Sequence, residues 1–516
     1  MMNRPQFAQP PVQRTVLDRL IGWASPRAGL IRLYHRQQLQ RAYEAANPRD
    51  GWKPRRGGAS ANADHYGDAV AIRNKARSLY QNVPYVYAGV EGRVSAAIGT
   101  GITTYATGAQ AELKNQVFAE WSKVCDADGR LSLGAFLAAA YRARRIDGEV
   151  LIRLRWRRAS DGLPVPLQLQ LLEIDWLDST RMSAPGAGGA MPGNTIINGI
   201  EYDVLGKAAA YWLWDQHPGE IGLVRARGRT QSKRVPASEF IHFFRPERPG
   251  QGRGISSLAS IITRVRDVSL LEDAEIARKN LESRLSVLVS GDPSALSQAD
   301  VEGMNQARSA ATGDLGPLAS GGITQLPPGM NVTTVAPNAS PGFIQHIKHE
   351  MHIVSTAMGA TYEMCTGDMT EVNFSSARVR QGDLRRDIEA EQWHSIIPNL
   401  CVPIWQAFIS AGVLGGQWRT NDATCDHSTP KWDYTNPDQD ASSELKLISS
   451  GLLTISESLR RRGYNPDAVF KELESDFKKL GESGVLQILF MLQKGRFSVD
   501  GNGSNTPAND GSSSNA

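Results

Sequence analysis

Between residues 340 and 412 the sequence writes an amphipathic helix, then a polar segment, then a long charged helix interrupted by prolines, and few architectures accept that order. Phe343, Ile347, Met351, Val354 and Met358 recur at helical spacing and make one apolar stripe. Ser340 is placed to cap this helix, with Pro341 in the first turn, where its missing N–H costs nothing. At about 100° per residue, His346, Lys348, His349 and His352 fall mostly opposite the stripe, on a face for solvent or a partner. Gly359 and Thr361 end the helix. Residues 367–376, GDMTEVNFSS, lack the alternation of a buried strand and predict a loop that reaches out from the packed body. Ser375 or Ser376 then caps a helix through Ala377, Leu384, Ile388, Ile396 and Leu400. Kinks are expected at Pro398 and Pro403, because each proline removes a backbone hydrogen bond and clashes with the preceding turn.

With 516 residues, 41% of them apolar, the chain can build two to four packed regions. Its runs stay short of the 18 or so apolar residues of a membrane span, and MMNRPQFAQPPVQR is not a secretory signal, so a cytoplasmic origin is expected. Cys125, Cys365, Cys401 and Cys425 are too scattered for a zinc or dithiol motif and read as free thiols. The net charge of +4 hides an asymmetry: residues 1–60 hold eleven Lys/Arg against three Asp/Glu, which leaves −4 for the rest. A body of that balance is not a tight DNA clamp, which would need many cations on phosphates. It suits a passage through which a polyanion slides.

Residues 1–61 read as a basic flexible arm with one short helix near 30–43. Helices follow over 69–82 and 83–98, and a third carries the stripe Leu133, Phe136, Leu137, Ala140 and Tyr141 behind a Ser132 cap. The period then drops to two. Ile152, Leu154 and Trp156 alternate with Arg153, Arg155 and Arg157, and Leu167, Leu169 and Leu171 alternate with glutamines. Further strands are expected at 199–204, 209–214 and 239–244, around a surface loop at 184–193, which makes an α+β region. Residues 255–289 lack glycine and proline and predict a helix roughly 50 Å long. A compact insertion (290–339), a polar connection, a helical region with a capped start at Thr454, Ser456 and Glu457, and a disordered tail (496–516) complete the chain.

The sequence carries no recognisable catalytic motif. GxxxxGK[ST] does not occur, so an ATP-driven motor is disfavoured, and no GxSxG elbow supports a hydrolase. Gly250, Gly252 and Gly254 read as a hinge. His349, Glu350 and His352 fall one residue short of HExxH, so a polar face or subunit contact is favoured over a metal. The acidic clusters Asp147/Glu149 and Glu173/Asp175/Asp178 read as turn acids and solvated strand residues. No catalytic residue, metal or cofactor is assigned.

Four stretches resemble, in order and spacing, the lambda-type family of bacteriophage portal proteins. They are 82–101 with its Gly-Thr-Gly close, 121–149 ending in Asp-Gly-Glu, 240–257 with Gly-Arg-Gly before the long helix, and 358–378 with Ser-Ser-Ala-Arg after the loop. The resemblance implies a portal fold: an α/β wing (62–254, with a kinked helix at 377–412), stem helices (255–289 and 340–358), a small α/β clip (290–339), a tunnel loop (359–376) and a connection with a helical crown (413–495). It further implies a twelve-membered ring at a capsid vertex that conducts double-stranded DNA in packaging and ejection. The implied partners are the terminase large subunit, the major capsid protein and a head–tail connector, with no membrane. The implied location is the virion, after assembly in the bacterial cytoplasm. On this reading Thr366, Asp368, Met369, Thr370, Glu371 and Asn373 line the DNA channel, and His346, Lys348, His349 and His352 line the channel or a subunit interface. The loop holds Asp368 and Glu371 but no Lys or Arg, so neutral contacts are expected there and phosphate gripping is not. The rival classes are a nucleic-acid enzyme using the acidic clusters and a non-ring scaffolding protein.

Overall fold

A helical pair opens the described chain, and its break is written by one dipeptide. Helix α1 (Ala61–Asn82) ends at Val83, which is extended, and Pro84 starts helix α2 (Pro84–Ala97). The proline ring excludes helical backbone from the residue before it and suits the first turn of the second helix. The computed structural model describes residues 58–220, 231–283, 287–291, 330–334, 342–432 and 436–482. The chain divides into two units, Met1–Ser60 and Ala61–Ala516, and every element named belongs to the second. The expected basic arm, with its short helix, lies almost wholly outside the described residues, as do the segment 496–516 expected as a tail and most of the 290–339 insertion.

Strand β1 (Thr103–Ala106), helix α3 (Ala111–Trp121) and helix α4 (Leu133–Asp147) follow. The stripe expected for α4 is buried throughout, and Gly148, at φ 94°, closes the helix in the left-handed conformation. Ser132 stands at the N-cap but makes no side-chain capping bond. Strands β2 (Glu149–Trp156) and β3 (Leu167–Leu172) pair antiparallel. A meander of β4 (Thr195–Ile197), β5 (Ile200–Tyr202), β6 (Ala208–Trp214) and β7 (Ser232–Pro236) makes a second sheet, and β8 (Phe240–Phe244) returns to β2 for the order β3-β2-β8. Leu151, Leu172, Ile200, Tyr211 and Phe240 fill a small core between the sheets. Short strands such as β1, β4 and β7 escaped the sequence reading because none carries a full apolar alternation.

The long helix expected over 255–289 is corrected at both ends. Helix α5 runs Ile262–Ser283 only, and Val287–Gly291 is strand β9, paired antiparallel with β10 (Met330–Thr334). The first residues are withheld from the helix by tertiary contacts: buried Arg253 is drawn onto Glu149, and Ser257 donates to the carbonyl of Arg145.

Helix α6 (Phe343–Met358), short helix α7 (Tyr362–Thr366) and helix α8 (Phe374–Glu391) come next. Gly342, not Ser340, is the N-cap of α6, and Asn373, not Ser375 or Ser376, caps α8. From Gln392 to Cys401 the chain winds as a π-helix and then continues as α9 (Val402–Leu414). The expected kinks thus take a different form. Bonding to the fifth residue, as Val402 N–H does to Ile397, takes up Pro398, and Pro403 falls where the π-helix passes into α9. Within Ser375–Leu414 an 18-residue window reaches a mean hydropathy of 1.5, so by length and composition this helix passes for a membrane span, against the sequence expectation. Its apolar side is spent on the core instead: Ile396, Leu400, Ile404, Trp405 and Phe408 are buried in one cluster with residues of α2, α3, α4, β2, β3 and β8. Strand β11 (Cys425–Ser428) pairs with β1, and helices α10 (Pro437–Ser449), α11 (Ile455–Arg461) and α12 (Pro466–Glu482) follow, with Thr454 capping α11 as expected. The described chain is α+β.

Candidate functional site

Residues 367–373 form the loop between α7 and α8, and its order comes from Asp368. The Oδ1 atom accepts from the Thr370 N–H at 3.0 Å and the Thr370 hydroxyl at 2.6 Å, and Oδ2 accepts from the Tyr362 hydroxyl at 3.0 Å. These bonds, the Thr370 hydroxyl foremost, hold the Asp368 pKa well below the usual carboxylate range. Lys348 reaches over from α6 to Glu371 at 3.0 Å and Asp368 at 3.5 Å, and its pKa rises in response, chiefly to Glu371. The two acids of the loop therefore share one lysine, leaving a formal charge of −1 in place of −2.

The other candidate residues are brought to the same place but are differently employed. Thr366 donates to the Tyr362 carbonyl and accepts from the Asp368 N–H. Asn373 accepts from the Ser376 N–H, and Ser376 returns the bond in a capping box. The polar groups expected to make neutral outward contacts are thus engaged within the loop and its flanks. Met369, 63% exposed, and the Glu371 side chain, 79% exposed, are presented by the loop beside the exposed Thr370 and Asn373. On α6, His346, His349 and His352 are exposed, opposite buried Met351, Val354 and Met358, and His352 stacks on Tyr362 at 4.2 Å.

Beneath the loop lies a cluster of charge that sequence reading missed. Arg93 of α2 donates to the Gly359 carbonyl (2.7 Å), Asp387 (2.5 Å) and Glu391 (2.6 Å), joining the two limbs of the loop. Arg145 donates to the Met358 carbonyl at 2.5 Å, at the negative end of the α6 dipole. Arg144 grips Glu391 and Ser395, and Tyr141 donates to Glu391 at 2.7 Å. Burial opposes the charge of Glu391, but Arg144, Arg93 and Arg145 overcome it and hold the pKa at about 2. A signal was present: Arg144 and Arg145 follow buried Ala140 and Tyr141 by four residues, so they extend the buried stripe of α4. Close approach of the root to α2 depends on two glycines. A Cβ on Gly89 would lie 2.6 Å from Met358 Cε and 2.9 Å from Cys365 Sγ, and one on Gly92 would collide with Met364.

The acidic clusters are corrected. Asp147, Glu149 and Asp178 are buried, and none serves as a solvated strand residue. Glu149 is enclosed by Arg253, His65 and His242, which overcome its burial and depress its pKa far below the usual value. Arg77 bridges Asp147 and Asp175 at 2.6 Å each. Among the described residues, Glu173, Asp175 and His217 bring metal-type ligand atoms within 4.8 Å of one another, but Arg77 reaches both carboxylates, so the trio belongs to an ion-pair network. All four cysteines are free.

A sequence profile described as "Phage portal protein, lambda family" matches residues 46–392. The chain is similar to a "Probable portal protein" of Halomonas phage phiHAP-1, with 26% identity over 456 residues, 83% of this chain and 84% of the relative. It is distantly similar to the neck of a native GTA particle computed with C12 symmetry (14% identity, 76% of this chain and 92% of that one, TM-score 0.44). A second distant likeness is to the HK97 family phage portal protein of Corynebacterium diphtheriae (12% identity, 72% and 98% covered, TM-score 0.31).

Proposed function

The chain belongs to the lambda family of phage portal proteins, and from that membership we propose that twelve copies close into a ring at one capsid vertex and conduct double-stranded DNA. The observation that carries the reading is the family match, which spans the wing, stem and loop segments in one continuous stretch. A head-to-tail interface repeated by rotation closes into a ring, so function arises from symmetry and no catalytic step is involved. The protein's place is the virion, at the portal vertex. Terminase, the major capsid protein and a head–tail connector are its partners.

In this assignment residues 62–254 with the 377–412 helix form the wing, α5 and α6 the stem, β9 and β10 the base of the clip, residues 359–376 the tunnel loop, and α10 to α12 the crown. The loop supports the reading through what it withholds. Its threonine hydroxyls and the Asn373 side-chain oxygen are engaged internally and its net charge is slightly negative, so a passing duplex finds no cation in the loop to hold its phosphates. DNA is met through shape, without base readout, as a conduit for every sequence requires.

Electron microscopy of the purified chain tests the assembly. End-on rings of twelve-fold symmetry are expected; persistent monomers with metal-dependent DNA cleavage would overturn it. For the loop, replacing Met369–Val372 by two glycines spares Asp368 and the Asn373 cap. Rings are expected to persist while packaging or DNA retention falls.

A further inference from the structure

The arginines of β2 are not absorbed by the conduit. Arg153 and Arg155 share one face of the strand and Arg157, one residue past its end, continues the alternation; the register sets Arg153 beside Gln170 and Arg155 beside Gln168 on β3. At the inner end this face is apolar, with Leu151 and Phe240 packed against the second sheet. Beyond Phe240, the partner of Arg153 and the first residue of β8, the face is uncovered by that strand and becomes cationic. Arg155 donates from Nε to Gln170 at 2.8 Å, and Arg157 from Nε to Gln168 at 2.9 Å. Gln168 is itself fixed by donating to the carbonyls of Val124 and Asp126. Glutamines thus orient both guanidinium groups while adding no negative charge. Among the described residues Arg153 is the one of the three in an ion pair, with Glu239 at 3.1 Å. Partial burial, then the like charges of Arg153 and Arg157, lower the Arg155 pKa, so the row is held together against its own repulsion.

We propose that this Arg153–Arg155–Arg157 ladder on the outer face of the wing sheet binds the phosphate backbone of duplex DNA, at a place separate from the loop. Alternate residues of a strand stand about 6.8 Å apart, a spacing on the scale of neighbouring phosphates along a sugar–phosphate backbone, whose path winds around the axis and is longer than the axial rise. The donors are planar guanidinium forks, which suit phosphate oxygens. On β2 and β3 the cationic part of the face carries arginine and glutamine without an aromatic or aliphatic anchor, whereas a protein partner's interface would be organised around one. The proposal goes beyond the channel reading and does not need the ring.

The test uses the full-length chain, a random-sequence 30-base-pair duplex and fluorescence anisotropy between about 50 and 200 mM KCl. The double variant R155Q/R157Q removes two phosphate contacts, so the slope of log K against log salt should flatten by about 2, with binding weakened at least about tenfold. Arg155→Lys with Arg157→Lys keeps the charge and should keep most of the slope. Ring assembly, scored separately by electron microscopy, should be unchanged in both. Unchanged affinity and slope in R155Q/R157Q would overturn the proposal. So would loss of rings in that variant alone, which assigns the face to a subunit contact, or intact DNA binding with loss of capsid incorporation, which assigns it to a protein partner. Absence of rings in the wild type would count against the portal reading and leave the DNA titration interpretable.

Discussion

Asp368 and Glu391 are both carboxylates of the segment that builds the loop, and both titrate below the ordinary range, yet they do opposite work. Asp368 lies at the surface and is satisfied by its neighbours Thr370 and Tyr362, with a lysine in reach. Glu391 is buried and answers arginines from α2 and α4, more than two hundred residues earlier. Water can replace the partners of Asp368 and cannot reach those of Glu391. A loop ordered by local bonds on a root locked by remote ones can be altered at its tip without unfolding its base.

The largest expected effect is at the root. Glu391→Ala leaves Arg93, Arg144 and Arg145 buried without their shared counter-charge, and should cost about 3–5 kcal/mol in urea denaturation. A loss below about 1 kcal/mol would erase the distinction between root and loop. The same group sets an acid limit. Because its folded pKa is depressed to about 2 from a usual 4.5, its contribution is full above about pH 4.5 and is lost as pH falls towards 2. Glu391→Gln should flatten that part of the stability profile.

Next in size is the seat of the root. Gly92→Val forces a side chain into Met364 and should destabilise by about 1–3 kcal/mol, measured by the same denaturation. Asn373→Ala removes the cap of α8 and should cost about 1 kcal/mol, with faster hydrogen exchange at the first turn of that helix. The smallest effect belongs to the loop. Asp368→Asn should leave the denaturation midpoint unchanged while speeding exchange of the Thr370 amide. A midpoint shift as large as that of Glu391→Ala would break the comparison.

Much of this could be read from the chain. Periodicity located α4, α6 and the strands β2 and β3, because an apolar stripe repeats with the geometry of its own backbone. The loop could be read as polar and exposed for the same reason. Its internal bonding was less legible, since whether Thr366, Thr370 and Asn373 face outward depends on rotamers that Asp368, Tyr362 and Ser376 select. Arg144 and Arg145 were visible on the buried stripe of α4, but their acceptors, Glu391 and the carbonyl of Met358, were not.

The sequence by itself determined the segment order, the class of the fold, the family, and the charge balance that excludes a tight DNA clamp. Each of these is a sum or a short-range repeat. Only the tertiary structure decided where α5 begins, how Pro398 is taken up, and which acids are solvated. Those outcomes depend on groups hundreds of residues apart meeting where water is excluded, and there an ion's partner decides whether its burial is tolerated.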